Sequence, residues 1–217
     1  MEKAAKKLAE KIGSTLNYSN EQKAVMAYGF IGLFQFFVIL TLIGFFGLIF
    51  GFFIESLIIF FAVGLLRRTI GGAHSDNFYS CIIISTFFIT LMAGCCKYLF
   101  KYLGFIPLTL GISVVYLLAI ILIYKLAPVA SPNKPIKTEA KRKRLRKNAF
   151  ITLGVFITAS IFLLIFTVEG REYLKNFCIA LALSVLWQIL LLTKFGHAFM
   201  NFLDSIFLRS KRKYSGK

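Results

Sequence analysis

Acidic residues are scarce in this sequence, with 9 Asp and Glu against 26 Lys and Arg, a formal net charge of +17. In a soluble protein, such an excess would point to nucleic acid as a partner. Here the basic residues lie between long uncharged runs, which leaves no folded soluble module to present them. We therefore expect no nucleic-acid partner and interpret the charge as the Lys and Arg excess of cytoplasmic loops.

Cysteine and histidine are also few, with 4 and 2 copies among 217 residues. The cysteines form neither a CxxC pair nor a Cys/His pattern with the spacing of a zinc site. The sequence therefore predicts no disulfide, no metal and no cofactor. Cys95, Cys96 and Cys178 fall inside apolar runs, where we expect them to fill packing space.

The polar N-terminal segment, residues 1–23, lacks the apolar core and the cleavage site of a secretory signal peptide. Leu8, Ile12 and Leu16 follow one another at helical spacing among lysines. This pattern predicts a basic amphipathic helix on the inner membrane surface, with a solvated lead-in as the alternative.

Apolar residues are abundant, at 58% of the chain with a mean hydropathy of +0.78. They form uncharged runs near the length of a membrane-spanning helix, without the alternation of a membrane barrel. We predict an all-α polytopic membrane protein with a membrane domain at about 24–199 and a basic cytoplasmic tail at 200–217. Six spans are expected, at about 26–44, 47–66, 78–96, 105–124, 149–168 and 177–193. The third and sixth are short, so a re-entrant segment is the alternative there.

Positive charge predicts the orientation of these spans. With the N-terminus inside, the inner segments hold 22 basic residues and the outer turns hold 4. The Lys and Arg excess of cytoplasmic loops then places both termini in the cytoplasm of a multi-pass cell-membrane protein. The polar window between the second and third spans falls on the cytoplasmic face.

That window reads LLRRTIGGAHSDNFYSC and contains both a histidine and a cysteine, His74 and Cys81. A cytoplasmic cysteine stays a thiol, and histidine is the usual base that activates it. In one continuous helix the two would be about 10 Å apart along the axis, so a reacting pair requires a break. Gly71 and Gly72 permit one, and the N-cap residue types at 75–77 predict a new helix that leaves His74 on the preceding loop.

Other groups of the window suit a reaction at a carbonyl. The backbone N–H groups of Gly71 and Gly72 are candidates to bind an oxyanion. Arg67 and Arg68 are candidates to bind an anionic substrate group. The alternative is a juxtamembrane loop with topogenic arginines, a solvated histidine and a cysteine that fills space.

Three segments together resemble the AgrB (accessory gene regulator B) family of bacterial membrane endopeptidases. RRTIGGAHSDNFYSC has the family's Arg, Gly-Gly-x-His and a Cys seven residues after the His. KLAPVASPNKPI is similar to its APxxxxNKPI segment. LLLTKFGHAF is similar to its LTPxG ending, with Lys194 in place of the proline. The resemblance runs from about Ala24 to Phe199.

The resemblance implies that the protein processes an AgrD-like propeptide into a cyclic autoinducing peptide for quorum sensing. Cys81 would be the nucleophile and His74 its base, with Arg67 and Gly72 in support. The C-terminal tail of the propeptide would leave, and the acyl-enzyme thioester would close to a thiolactone or lactone. The resemblance also implies a homo-oligomer, expected to be a dimer, in the lipid bilayer.

Two other functions compete with this one. Glu55 lies within the second predicted span, where a carboxyl group is costly and often functional, although a protonated group near the outer interface is equally compatible. With Gln188 it favours a small transporter or exporter without covalent chemistry, unless Gln188 only bonds across helices. A structural scaffold whose basic loops only set topology is the third reading.

Overall fold

A computed structural model describes residues 2–73, 77–129, 138–168, 170–171 and 173–214, apart from the side chains of residues 2, 101 and 207–214. These residues form α-helices and no β-strand, which confirms the all-α prediction. A π-helical turn, Cys95–Leu99, and a short 3-10 turn, Phe100–Tyr102, extend the fourth helix. The α-helices are α1 Glu2–Thr15, α2 Asn20–Ile49, α3 Phe53–Ile70, α4 Phe78–Gly94, α5 Phe105–Leu126, α6 Glu139–Val168, α7 Leu174–Leu192 and α8 Lys194–Tyr214.

Five helices of the described chain are long and apolar enough to cross a membrane, which confirms a polytopic membrane protein. They are α2, α4 with its π-helical extension, α5, α6 and α7. The expected second span is α3, which has 18 residues and includes Glu55, Arg67 and Arg68. The three charges fall within the whole length of α3, whereas each of the five other helices has an apolar stretch of 18 residues with at most two charges. The third and sixth expected spans are helices of 22 and 19 residues.

The centre of the bundle is formed by α3 and α7. Half of the apolar segment of α7 is buried, against 17% for α2 at the periphery. The Gln188 side chain of α7 is fully buried and donates from Nε2 to the Val63 carbonyl of α3 at 3.2 Å. This contact confirms the expected bond across helices, and such bonds contribute where lipid gives helices no hydrophobic reason to associate.

The turns at one end of the bundle pack on each other through their backbones. Val129 N–H, after α5, donates to the Ile70 carbonyl of α3 at 3.0 Å. Ala73 N–H, after α3, donates to the Leu191 carbonyl of α7 at 3.0 Å. We call this the Gly71 end, formed by residues 71–73, 127–129 and 191–193.

The opposite end is formed by residues 50–52, 97–104 and 173–176, and we call it the Gly51 end. Gly51, at φ +71°, makes the turn between α2 and α3. Gly44 and Gly47 lie within α2, which continues through them to Ile49. Lys97 Nζ donates to the Gly51 carbonyl, and Lys175 Nζ donates to the Leu103 carbonyl. These bonds join the turns of the Gly51 end.

The two terminal segments are both helical. In α1 the small residues Ala5 and Ala9 are buried, while Leu8 and Leu16 are exposed. The helix prediction is therefore confirmed, but the expected apolar stripe faces outward. Residues 200–214, expected as a tail, continue helix α8. Met200 of that helix is buried in a cluster with Ala73, Ile84 and Leu191.

Candidate functional site

Cys81 lies one turn inside α4, as the sequence predicts. The helix begins at Phe78, and Asn77 is its N-cap, with Oδ1 accepting from Tyr79 N–H at 3.0 Å. The Cys81 N–H donates to the Asn77 carbonyl at 3.0 Å, which is the first intrahelical bond. Because α3 ends at Ile70, the predicted break between the two halves of the window is confirmed.

The Cys81 side chain is half-buried and lines a small cavity of about 40 Å³. This volume is enough for very few atoms, so the space suits a single reacting group and little water. The walls come from α3, α4, α7, α8 and the residue before His74: Val63, Arg67, Ala73, Ile84, Ser85, Phe88, Ile89, Trp187, Leu191 and Met200. We call it the Cys81 cavity.

The two neighbouring arginines differ in their placement. Arg67 is half-buried and lines the Cys81 cavity, whereas Arg68 is exposed. The Arg67 guanidinium makes no hydrogen bond or ion pair with the residues that the structure describes. A guanidinium has five N–H donors, so Arg67 has free hydrogen-bonding capacity beside the thiol. Of the two arginines, Arg67 is therefore the one that can reach a substrate held at Cys81.

Gly71 and Gly72 pass through a narrow space at the end of α3. Their φ angles are +74° and +117°, in the region that favours glycine. A Cβ atom on Gly71 would lie 2.2 Å from the Val129 carbonyl oxygen, and one on Gly72 would lie 3.3 Å from that of Leu191. Both glycines therefore fit where a larger residue would displace neighbouring backbone.

The N–H groups of these glycines are not equivalent. Gly71 N–H donates to the Arg67 carbonyl at 3.1 Å and completes the last turn of α3. Gly72 N–H makes no hydrogen bond within the described residues. Of the two oxyanion candidates, Gly72 is thus the one whose N–H is uncommitted.

His74 lies outside the described residues, as do Ser75, Asp76 and the NKP segment at 133–135. The preceding residue, Ala73, is buried in the wall of the Cys81 cavity. The other histidine, His197, donates from Nδ1 to the Thr193 carbonyl at 3.0 Å and does not line this cavity.

Several wall residues were not identified from the sequence. Ser85 is one turn beyond Cys81 on the same side of α4, and Met200 comes from the unexpected helix α8. Trp187, the one tryptophan of the chain, stacks on Phe88 with ring centroids 4.3 Å apart. That Trp187 is the only tryptophan in the sequence was the one feature that could have pointed to it. Its place in the wall depends on the packing of α7 against α4.

The segment that follows α5 is bonded to α6 on one side and packs on the turn at Gly71 and Gly72 on the other. Arg146 donates from Nε to the Ala127 carbonyl at 3.0 Å, and its guanidinium lies 5.9 Å from the Tyr124 ring centroid. Two residues later, Val129 bonds to Ile70 and lies against Gly71. Arg146 is thereby connected to the turn that precedes His74.

The joint between α7 and α8 explains why Lys194 can replace a proline. Thr193 is extended, at φ −78° and ψ 161°, and Lys194 is the first residue of α8. Proline is favoured at a first helical position because the N–H there has no intrahelical partner. Lysine fits the same backbone. Gly196 donates its N–H to Thr193 Oγ1 at 3.1 Å and packs closely on the Leu190 carbonyl.

The remaining cysteines lie away from this cavity. Cys96 and Cys178 are buried and Cys95 is half-buried, all as free thiols. The Cys178 thiol donates to the Ser160 carbonyl at 3.6 Å in the bundle interior. Within the described ranges, no three His, Cys, Asp or Glu side chains come together as a metal site.

Comparison with known proteins gives a consistent assignment. The profile of the family described as accessory gene regulator B (AgrB) matches residues 5–192. An AgrB-like protein of Clostridium perfringens (strain SM101 / Type A) is 31% identical over 211 residues, covering 94% of this chain and 97% of that protein. AgrB-like protein 2 of C. perfringens (strain 13 / Type A) is 30% identical with the same coverage. No solved structure matches the chain.

Proposed function

Because the chain belongs to the AgrB family, with its accessory gene regulator role in quorum sensing, we propose that it is a cysteine endopeptidase of the membrane. Its substrate is an AgrD-like propeptide, from which it removes the C-terminal tail and forms a cyclic autoinducing peptide. The observation that carries the proposal is the Cys81 cavity. A half-buried thiol lines this cavity together with Arg67, whose guanidinium has no partner among the described residues, and with Ala73, the residue that precedes His74.

The first half of the reaction cleaves the propeptide. His74 takes the proton of the Cys81 thiol, and the thiolate attacks the carbonyl carbon of the scissile peptide bond. As the tetrahedral intermediate collapses, His74 returns the proton to the amine nitrogen of the departing tail. The peptide C–N bond breaks, and the remaining propeptide is bound to Cys81 as a thioester.

The second half closes the ring. A cysteine thiol or serine hydroxyl of the bound peptide attacks the thioester, and Cys81 leaves as a thiol. Exchange of one thioester for another is nearly neutral in energy, so a thiolactone needs no ATP if water is kept from the acyl-enzyme. The small volume of the cavity and its Phe88, Trp187 and Met200 walls favour that exclusion.

Two groups of the chain suit the charge that develops on the carbonyl oxygen. Within the described residues the Gly72 N–H has no acceptor, and preorganised backbone donors of this kind stabilise an oxyanion. Arg67 likewise has no partner there, so its donors can bind a substrate carbonyl or carboxylate. We assign the oxyanion contact to Gly72 and substrate positioning to Arg67.

Basic residues near the cavity suit an acidic propeptide tail. Residues 141–147 at the start of α6 include Lys141, Arg142, Lys143, Arg144, Arg146 and Lys147. They belong to the helix whose Arg146 contacts Ala127 at the Gly71 end. A field of one sign raises the encounter rate with an oppositely charged ligand. We place this face, with the Cys81 cavity, in the cytoplasm.

Intact-mass spectrometry of the full chain in lipid vesicles tests the proposal. With a synthetic propeptide from its own locus, the native protein should release a tail fragment and carry a thioester adduct. Cys81→Ala should give neither product. Cys95→Ala, which removes another half-buried thiol outside the cavity, is the matched control and should behave as the native protein.

The same experiment separates the peptidase from a transporter. If Cys81→Ala cleaves the propeptide as the native protein does, covalent catalysis at Cys81 is wrong. The buried Glu55 would then favour transport, and Glu55→Gln should abolish peptide movement across the vesicle membrane.

A further inference from the structure

A second polar site lies at the Gly51 end, around Glu55. This residue is in the first turn of α3 and is only 6% exposed. One carboxylate oxygen accepts a long hydrogen bond of 3.4 Å from Asn176 Nδ2 of α7. No Lys or Arg among the described side chains forms an ion pair with it. A buried carboxylate accepts up to about four hydrogen bonds and is costly when few are made, so Glu55 has capacity for a cationic partner.

Glu55 lines a cavity of about 360 Å³. That volume is in the range of small-ligand sites. Lys97, Tyr173 and Asn176 form its polar wall. On the apolar side, Leu48 and Ile54 also line the cavity and are 70% and 48% exposed. Because these two large apolar side chains are exposed at the rim of the cavity, we infer that the cavity opens toward the acyl chains of a bilayer.

This cavity is separate from the Cys81 cavity. Glu55 and Arg67 belong to the same helix, and the twelve residues between their positions correspond to a rise of about 18 Å. The two sites share no lining residue. They therefore lie toward opposite membrane faces, and a ligand at Glu55 does not contact the reacting thiol.

The charges of the cavity are complementary to a zwitterion. Glu55 supplies an acceptor for an ammonium group. Lys97 has three N–H donors, and within the described part of the chain it uses one, on the Gly51 carbonyl, which leaves two for an anionic oxygen. An anionic ligand alone would leave Glu55 unpaired, and a simple cation would meet Lys97. A ligand with a positive group, a negative group and an apolar tail would pair with Glu55, with Lys97 and with the apolar side of the cavity.

We propose that this cavity binds the headgroup of phosphatidylethanolamine from the surrounding bilayer. Its primary ammonium donates hydrogen bonds to Glu55, and its phosphate oxygens accept from Lys97 and the Tyr173 hydroxyl. The acyl chains extend from the cavity into the bilayer along Leu48 and Ile54. This lipid site takes no part in peptide cleavage and lies at the membrane face opposite Cys81.

Native mass spectrometry of the full chain in mild detergent tests this assignment with two lipids of identical acyl chains. Phosphatidylethanolamine should bind about tenfold more tightly than phosphatidylcholine, because the quaternary ammonium of the latter has no N–H to donate. Glu55→Gln should reduce that ratio severalfold, because the neutral amide oxygen still accepts an N–H but binds an ammonium more weakly than a carboxylate does. Lys97→Ala should weaken both lipids together and keep the ratio, since both carry the phosphate.

Arg171→Ala is the matched control, because Arg171 is an exposed cation at the same end that contacts Phe166 and does not line the cavity. Arg171→Ala should change the affinity for neither lipid. Equal binding of the two lipids to the native protein would overturn the proposal. So would a preference that is undiminished in Glu55→Gln, or tighter binding of phosphatidylglycerol, which has the phosphate but no ammonium. If Glu55→Gln does not fold, the native ratio and Lys97→Ala still decide the outcome.

Discussion

Gly71, two residues before the cavity wall at Ala73, lies very close to the backbone that follows α5. A methyl group there would meet the Val129 carbonyl oxygen at 2.2 Å, at a φ of +74°. The Gly71→Ala variant must therefore shift the segment 127–129 or the start of the glycine turn. We expect it to lower the free energy of unfolding by about 2 kcal/mol or more. Cleavage of the propeptide should fall with it, because the same shift moves the wall that contains Ala73.

Gly64→Ala is the matched control for that variant. Gly64 lies in α3, the helix that ends just before Gly71, and a Cβ there would meet no atom within 4 Å. Alanine is the better helix former by about 1 kcal/mol, so this variant should melt at the same or a higher temperature and retain cleavage. Thermal unfolding and tail release measured on both variants decide the matter. A Gly71→Ala protein that matches Gly64→Ala in both would contradict the tight packing.

At the level of single residues, the sequence predicted the start of the helix that contains Cys81, but not which arginine faces inward. The N-cap residue types at 75–77 predicted a helix start there, and Asn77 is the N-cap of α4. By pattern alone Arg67 and Arg68 were equal candidates, since adjacent identical side chains carry no signal of which one faces inward, and only the family resemblance favoured Arg67. The half-buried Arg67 is determined by the packing of α3 against α4 and α7, which is a tertiary property.

At the level of elements, Arg146 connects α6 to the segment after α5. Arg146→Lys keeps the positive charge but removes the Nε–H bond to the Ala127 carbonyl. Because Val129 of that segment packs on Gly71, we expect kcat for cleavage to fall about tenfold while KM changes little. KM should change little because the start of α6 keeps the same net charge for the acidic tail of the propeptide. Single-turnover and steady-state kinetics with the synthetic propeptide measure the two constants.

Arg144→Lys is the control for this substitution, as Arg144 is exposed on the same helix. It should leave both constants unchanged. A loss confined to KM in Arg146→Lys would show that Arg146 binds the propeptide tail and does not position the segment 127–129.

The elements themselves were largely predictable because runs of apolar residues fix their length. The charged helix α3 and the C-terminal helix α8 were less predictable from the sequence. The charges of α3 are accommodated by burial of Glu55 and by the half-buried Arg67, which the sequence does not reveal. The apolar residues of α8 recur at helical spacing, at Phe195, Phe199 and Leu203, but the dense charge after them favoured a tail.

At the scale of the whole molecule, the contacts between turns divide the bundle into two ends of different charge. Lys125 at the end of α5 and the basic start of α6 lie at the Gly71 end with Arg67 and Arg68. The Gly51 end and the turn before it have four basic residues in the sequence, Lys97, Lys101, Arg171 and Lys175. Since cytoplasmic loops carry the excess of Lys and Arg, the Gly71 end should be cytoplasmic. The reducing cytoplasm would also keep the Cys81 thiol free.

Cysteine labelling in intact cells tests that orientation. In a background with the four native cysteines replaced by serine, Arg171→Cys should react with a membrane-impermeant maleimide. Lys143→Cys, at the basic start of α6, should react only after the cells are permeabilised, because it lies on the cytoplasmic side. Both positions are exposed, so a difference between them reports the side of the membrane and not burial. Labelling of Lys143→Cys in intact cells would reverse the orientation and place the Cys81 cavity outside. The lipid at Glu55 would then belong to the inner leaflet.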